Sequence, residues 1–274
     1  MAAWKILGKS VLGTSHRDSD IPCQDSCLTA EQATQGGPIV ILLCADGAGS
    51  ASHSDIGSAL VCQTLMQSIV MHLDQGRSVE DIAKTVVVSW CDQVRSKLMD
   101  RAAELSLDVR QLACTLLAAI VGTTQSVYFQ IGDGAIIILE NNDYRLVFWP
   151  ERGEYANTTF FITQDTFADA LRYEVRTTTV DELAMISDGL QMVALDYASQ
   201  QVHQGFFLPM FKTMRATNSV DELMGPLAEF LESPRLNERT DDDKTLILAT
   251  RLNSPSTAGA TTPDPESGHA SRCG

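Results

Sequence analysis

No two of the seven cysteines in this 274-residue chain stand in a CxxC spacing. Cys23 and Cys27 form a CxxxC without matching histidines or a second pair, which argues against a zinc site. Cys44, Cys62, Cys91 and Cys114 sit inside apolar runs, as buried thiols do. This usage points to a reducing, cytoplasmic setting. Basic residues are also scarce, 20 Lys and Arg against 35 Asp and Glu, for a net charge of −15. That balance argues against non-specific binding to nucleic acid or to an anionic membrane. No apolar run is expected to reach the length of a bilayer span. The opening, Met1-Ala2-Ala3-Trp4-Lys5-Ile6, lacks the basic and apolar segments of a secretion signal. A nucleophile triad is missing too, since Ser187 has no histidine near it in sequence.

What the chain does have is a recurring placement of aspartate at the ends of apolar runs. Ile41-Leu42-Leu43-Cys44-Ala45 leads into Asp46-Gly47, Tyr128-Phe129-Gln130-Ile131-Gly132 into Asp133-Gly134, and Leu183-Ala184-Met185-Ile186-Ser187 into Asp188-Gly189. A fourth case is inverted, with Asp241-Asp242-Asp243-Lys244-Thr245 preceding Leu246-Ile247-Leu248-Ala249. A carboxylate at the tip of a buried strand is costly unless something pairs with it. Several brought together repel one another unless a cation sits between them. Oxygen-only ligands suit magnesium or manganese, not zinc. A single Asp-Gly at a strand end is also ordinary turn chemistry, and Asp133 is open to that reading.

Hydrophobic residues make up 44% of the chain, enough for a sizeable core. An extended opening (4–12) is followed by a polar loop from Gly13 to Asp25 and a strand at 39–45. Apolar residues at helical spacing predict a helix over 55–74. Ser78-Val79-Glu80-Asp81 resembles a capping box that opens a second long helix. From Leu112 to Phe148 three or four strands are expected, broken at 122–124, 132–134 and 141–143. Further strands are expected near 158–163, 171–177 and 182–187. Two helices follow, one around 206–214 and one opened by the capping box Ser219-Val220-Asp221-Glu222. A last strand spans 245–251. The block arrangement predicts an α+β layered fold. Residues 1–252 are read as one domain and 253–274, rich in Ser, Thr, Ala, Gly and Pro, as a disordered tail.

The order of Pro22-Cys23-Gln24-Asp25, Ala45-Asp46-Gly47-Ala48-Gly49, Ala113-Cys114-Thr115, Ile131-Gly132-Asp133-Gly134, Ile186-Ser187-Asp188-Gly189 and Asp242-Asp243-Lys244-Thr245 resembles the metal-dependent Ser/Thr protein phosphatases of type 2C, the bacterial branch in particular. The resemblance implies a four-layer α-β-β-α sandwich, two central antiparallel sheets flanked by helix pairs. It implies two Mg²⁺ or Mn²⁺ ions, with Asp46 bridging them, the Gly47 carbonyl on one, and Asp188 and Asp242 on the other. Asp133 falls where some bacterial members hold a third ion. Asp25 follows Gln24, at whose position many relatives use a glutamate to orient metal-bound water. Water activated by two metals would attack the phosphorus of a phosphoserine or phosphothreonine in line. Phosphorylated proteins, together with a cognate Ser/Thr kinase, are the implied partners.

Two positions depart from the family. Where many relatives have a phosphate-gripping arginine stands Asp20, leaving Arg17 and His16 as the nearby candidates for phosphate binding. Where eukaryotic relatives place a histidine after Asp-Gly stands Ala48, leaving His16 or His53 as candidate acids. Complete loss of general acid catalysis costs roughly 10²–10⁴ in rate. These departures keep two alternatives open. One is a metal-assisted phosphoesterase acting on a small molecule. The other is a catalytically impaired phosphatase-like module that binds phosphoproteins or a partner kinase. The polar and aromatic stretch from 150 to 180 reads as a loop plus strand beside the site.

Overall fold

The computed structural model describes residues 4–150 and 159–252. Strand β1 (Trp4–Val11) and the short helix α1 (Thr14–Asp18) lead to the hairpin β2 (Ser26–Thr34) and β3 (Gly37–Ala45). Two long helices follow, α2 (Ser54–Asp74) and α3 (Lys84–Glu104), then the strands β4 (Leu116–Val121), β5 (Ser126–Ile131), β6 (Ala135–Glu140) and β7 (Asp143–Leu146). Beyond them come α4 (Phe167–Ala170), β8 (Arg172–Arg176), β9 (Glu182–Ile186), α5 (Gln191–Ala194), and the small pair β10 (Leu195–Asp196) and β11 (Gln201–Val202). The chain continues through α6 (Gln204–Ala216), α7 (Met224–Leu231), α8 (Pro234–Asn237) and β12 (Lys244–Arg251).

The strands form two five-stranded sheets, β2-β3-β4-β5-β8 and β1-β12-β9-β6-β7. Every ladder within them is antiparallel. Alternation along the strands explains the layers. In β3, Ile39, Ile41 and Leu43 join the core shared with α2 and α3, whereas Val40, Leu42 and Cys44 face the second sheet. In β12, Ile247 and Ala249 face the first sheet, and Leu246 and Leu248 face α6 and α7. Both faces of these strands are buried, so they read as unbroken apolar runs despite their antiparallel pairing. The result is the expected four-layer sandwich.

Several expectations are corrected in detail. The capping box at Ser78 and Asp81 forms, but it closes a 3-10 turn over Val79–Asp81, and α3 begins only at Lys84. Ser219 caps nothing; its amide donates to the Thr217 hydroxyl (3.2 Å), and α7 begins at Met224, placing Pro226 in its first turn where no amide is needed. No strand forms over 159–163. There Gln164 turns back on Phe161 (3.1 Å), and the buried Ile162 donates its amide to the Cys114 carbonyl (3.1 Å). Strand β2, for which the sequence pattern predicts no element, pairs with β3 over nine residues. Helix α2 is apolar and long enough, at 21 residues, to cross a membrane by length and composition alone, contrary to expectation. Half of it is buried, and its apolar residues pack against β3 and α3. The four cysteines expected in the core are buried. Residues 253–274 and Tyr155, in the expected tail and the site-side loop, lie outside the described residues, as does Cys273.

Candidate active site

The topology gathers the strand ends that carry aspartate. Asp25 immediately precedes β2 and Asp46 immediately follows β3, and these strands pair with Ser26 opposite Ala45. Asp188 follows β9 and Asp242 precedes β12, and these pair with Ile186 opposite Leu246. Asp133 occupies the turn between β5 and β6, beside β9. Each sheet thus delivers carboxylates to the same end of the seam between them.

Electrostatics confirm the gathering. Burial, then Asp25 and Asp188, push the Asp46 carboxyl well above its ordinary range. Asp188 is pushed up to about 6 by burial, with Asp133 and Asp242 adding to the effect. Asp46 and Asp188 act on each other's protonation, so the two carboxyls from opposite sheets are neighbours. Asp242 is raised as well, chiefly by burial.

The backbone around these groups is tightly held. Thr115 clamps Asp46 from both sides: its hydroxyl accepts the Asp46 amide (2.9 Å), and its own amide donates to the Asp46 carbonyl (2.8 Å). Gly47 sits opposite Cys114 in an isolated bridge whose hydrogen bonds are made by the neighbouring residues, Ala48 to Ala113 and Thr115 to Asp46. The Gly47 carbonyl is therefore turned away from that ladder. A Cβ at Gly47 would fall 2.7 Å from the Gln24 carbonyl oxygen, so only glycine allows the approach. Gly189 is equally constrained, since a Cβ there would lie 2.0 Å from the Asp243 carbonyl oxygen.

Asp25 is buried, and one of its oxygens accepts from the hydroxyls of Ser187 and Thr245, both at 2.7 Å. Burial pushes its carboxyl up to about 7, opposed by those two hydrogen bonds. Asp243 has a role that its place in the motif does not signal. Its buried carboxylate accepts the amides of Gly13 and Gln24, both at 2.6 Å, and so pins the loop that carries Gln24 and Asp25. Ser187 and Thr245 were visible inside motifs, but their role as donors to Asp25 is a tertiary fact with no local signal.

Asp133 is held by Thr159, whose hydroxyl donates to its carboxylate (2.7 Å), and by Gln191, whose amide donates to its carbonyl. The buried Gln130 side chain donates to the Gly132 and Gly134 carbonyls on either side (2.9 and 2.8 Å). Gly132 adopts φ +107°, a conformation that favours glycine.

His16 Nδ1 lies 3.0 Å from Asp243 Oδ2, so this ring faces the pinning carboxylate. Arg17 is exposed on α1, and so is Asp20 just beyond it, at φ +56°. Lys244 is fully buried and donates from Nζ to the Asp242 carbonyl (3.0 Å). Desolvation lowers its pKa, and the charge of Arg17 acts in the same direction, so the two cations are neighbours. His53 Nδ1 is engaged with the Ser52 hydroxyl (2.7 Å). Ala48 is buried with Ala51 and Ala113 and presents no acid.

The donor set fits hard divalent cations. It is all oxygen, in excess negative charge, with carboxyls forced together at protonation-raising distances. Gln24 Oε1 is in addition a buried acceptor without a partner, suited to a proton of a water at the site. Among the described residues no three His, Cys, Asp or Glu side chains form a ready-made cage. An ion held here would draw its remaining ligands from backbone carbonyl and water, as magnesium-like ions do.

Comparison with known proteins agrees with this geometry. The family described as Protein phosphatase 2C matches residues 12–232. Serine/threonine-protein phosphatase 3 of Escherichia coli (strain K12) is 35% identical over 251 residues, covering 90% of this chain and 98% of that protein. A bacterial serine phosphatase crystal structure superposes with a TM-score of 0.61 at 15% identity, covering 91% of this chain and 98% of that one. The catalytic domain of the serine/threonine phosphatase PstP, solved with two manganese ions, superposes with a TM-score of 0.56 at 15% identity, covering 91% and 99%. At such identities the two structures speak for the fold.

Proposed function

Since the chain belongs to the protein phosphatase 2C family and is a protein phosphatase, we propose that it hydrolyses phosphoserine and phosphothreonine in phosphoproteins at a site charged with two Mg²⁺ or Mn²⁺ ions. The observation that carries this reading is the convergence of Asp25, Asp46, Asp188 and Asp242 from the paired strand ends of both sheets.

In this reading Asp46, the Gly47 carbonyl, Asp188 and Asp242 would hold the two ions, and Asp133 would hold a third. When bound, the ions supply an activated water near neutral pH and neutralise charge on the phosphoryl oxygens. The chain's own residues set the orientation. Thr115 fixes the strand end that aims Asp46, and Ser187 and Thr245 hold Asp25 in one rotamer. Gln24 Oε1, a buried acceptor without a partner, would accept a hydrogen bond from a water at the site and so orient it, at the position where many relatives have a glutamate. Arg17 is exposed and carries the fork geometry suited to a phosphate dianion. His16, backed by Asp243, contributes a ring N–H to the same phosphate. A cytoplasmic location and a cognate Ser/Thr kinase complete the proposal.

Release of inorganic phosphate from phosphothreonine and phosphoserine peptides, with and without Mn²⁺, tests it. Wild type should be metal-dependent and Asp46→Asn inactive with its fold intact; activity retained in that variant would sink the assignment. The buried Ala48 and the exposed Asp20 favour one second reading, an impaired module that binds phosphoproteins or a kinase. Tight phosphopeptide binding without turnover, across metals and pH, would select it.

A further inference from the structure

The helical cover of the second sheet is incomplete. Between α5, α6, α7 and α8 lies an open apolar groove of about 830 Å³ that reaches down to Leu7 and Leu248 of the sheet itself. Helix breakers explain the gap. Pro209 stands inside α6, and α7 and α8 run for only eight and four residues, with Gly225 and Pro226 at the start of α7. Met192 (66% exposed) and Phe230 (36% exposed) line the groove and face solvent. Apolar surface of this kind on a monomer marks an interaction site, and methionine in the lining lets such a site adapt to its occupant.

Charge at the rim narrows the occupant. Arg235 and Arg239 border the groove, both exposed, and neither pairs with a carboxylate among the described residues. His203 lies on the same border, and the one acid there, Asp196, already accepts the amides of Ala198 (2.9 Å) and Ser199 (3.2 Å). On a chain of net charge −15, this is a local basic edge around an apolar trough. Residues 253–274 contain no Leu, Ile, Val, Met, Phe, Tyr or Trp, so they have no side chains to fill it.

We propose that this groove docks an amphipathic helix of another protein, with apolar side chains at i, i+3, i+4 and i+7 entering the trough and Asp or Glu residues flanking them to meet Arg235 and Arg239. Helix-in-groove recognition uses this spacing, and charge at the rim supplies selectivity.

The test is a selection of displayed random peptides of about 16 residues, long enough for roughly 24 Å of helix, on the full chain. Synthetic versions of the winners would then be measured by fluorescence anisotropy. The expected winners combine helical apolar spacing with acidic residues. Phe230→Glu and the double variant Arg235→Glu, Arg239→Glu should each weaken them at least tenfold, with thermal midpoint and circular dichroism as in wild type. Failure to enrich any peptide overturns the proposal. So does enrichment without acids, or binding indifferent to both variants. Concentration-dependent dimerisation abolished by Phe230→Glu would show that a second copy of this chain is the occupant, which also overturns it.

Discussion

The two helical layers cover sheets of the same strand number and pairing, yet they are built to different standards. The first consists of α2 and α3, each 21 residues without proline, with Val61, Leu65, Ile69, Val87, Val94 and Leu98 wholly buried in the core they share with β3 and β4. The second consists of a proline-containing helix of 13 residues and two short ones, and an open apolar groove runs between them. Long unbroken helices cover a sheet fully because their apolar stripe continues without a gap. Interrupted ones bury what they can and expose a margin. One layer is a fixed wall, and the other is a surface with an opening.

The largest test of that contrast is truncation in each layer. Leu65→Ala should cost about 2–5 kcal/mol in denaturant unfolding, whereas Leu208→Ala, on the exposed side of α6, should stay within about 0.5 kcal/mol. Equal losses would show the layers to be equally packed. Next in size is Gly57→Ala. A Cβ there would lie 2.1 Å from the Leu112 carbonyl oxygen, so the helix must shift, at a cost of about 1–3 kcal/mol.

The seam between the halves responds to protons. Asp25 and Asp188, raised to about 7 and about 6, bind protons more tightly folded than unfolded. Their stabilising contribution is therefore present at low pH and is lost as pH rises through 6–7. Without divalent metal, the thermal midpoint should fall between pH 5 and pH 8, and Mn²⁺ should recover most of the loss at the upper end. A midpoint that rises over that window would contradict the crowding of carboxylates described above. The smallest effect belongs to Gly225→Ala, which meets nothing within 4 Å and should stabilise α7 by about 0.4–1 kcal/mol in the same unfolding assay.

The same contrast governs how much could be read in advance. Helix α2 was placed to within a residue because its apolar spacing runs unbroken, and the strand-end aspartates because each follows or precedes an apolar run. The second layer was harder: the Ser219 box is spelled correctly, but Thr217 takes the Ser219 amide and Pro226 starts the helix later. Strand β2 was missed because, as an edge strand of mostly polar residues, it carries no apolar alternation over Ser26–Thr34. Asp243 looked like a neighbour of a ligand, and only the fold reveals that Gly13 and Gln24 converge on it across more than two hundred residues of sequence. Motif spelling conveys which residues can do chemistry; it does not convey which backbone amides need an anchor.

Strand β12 has a consequence for how the molecule is made. It lies between β1 and β9 and pairs Trp4 with Arg251, joining the start of the described chain to its end. Synthesis runs from the N-terminus, so β1 emerges well before β12, the one strand it pairs with among the described residues. Asp242 and the Asp243 anchor arrive with that same late strand. A chain that stops short of β12 therefore lacks an inner strand of its second sheet and, with it, Asp242 and Asp243.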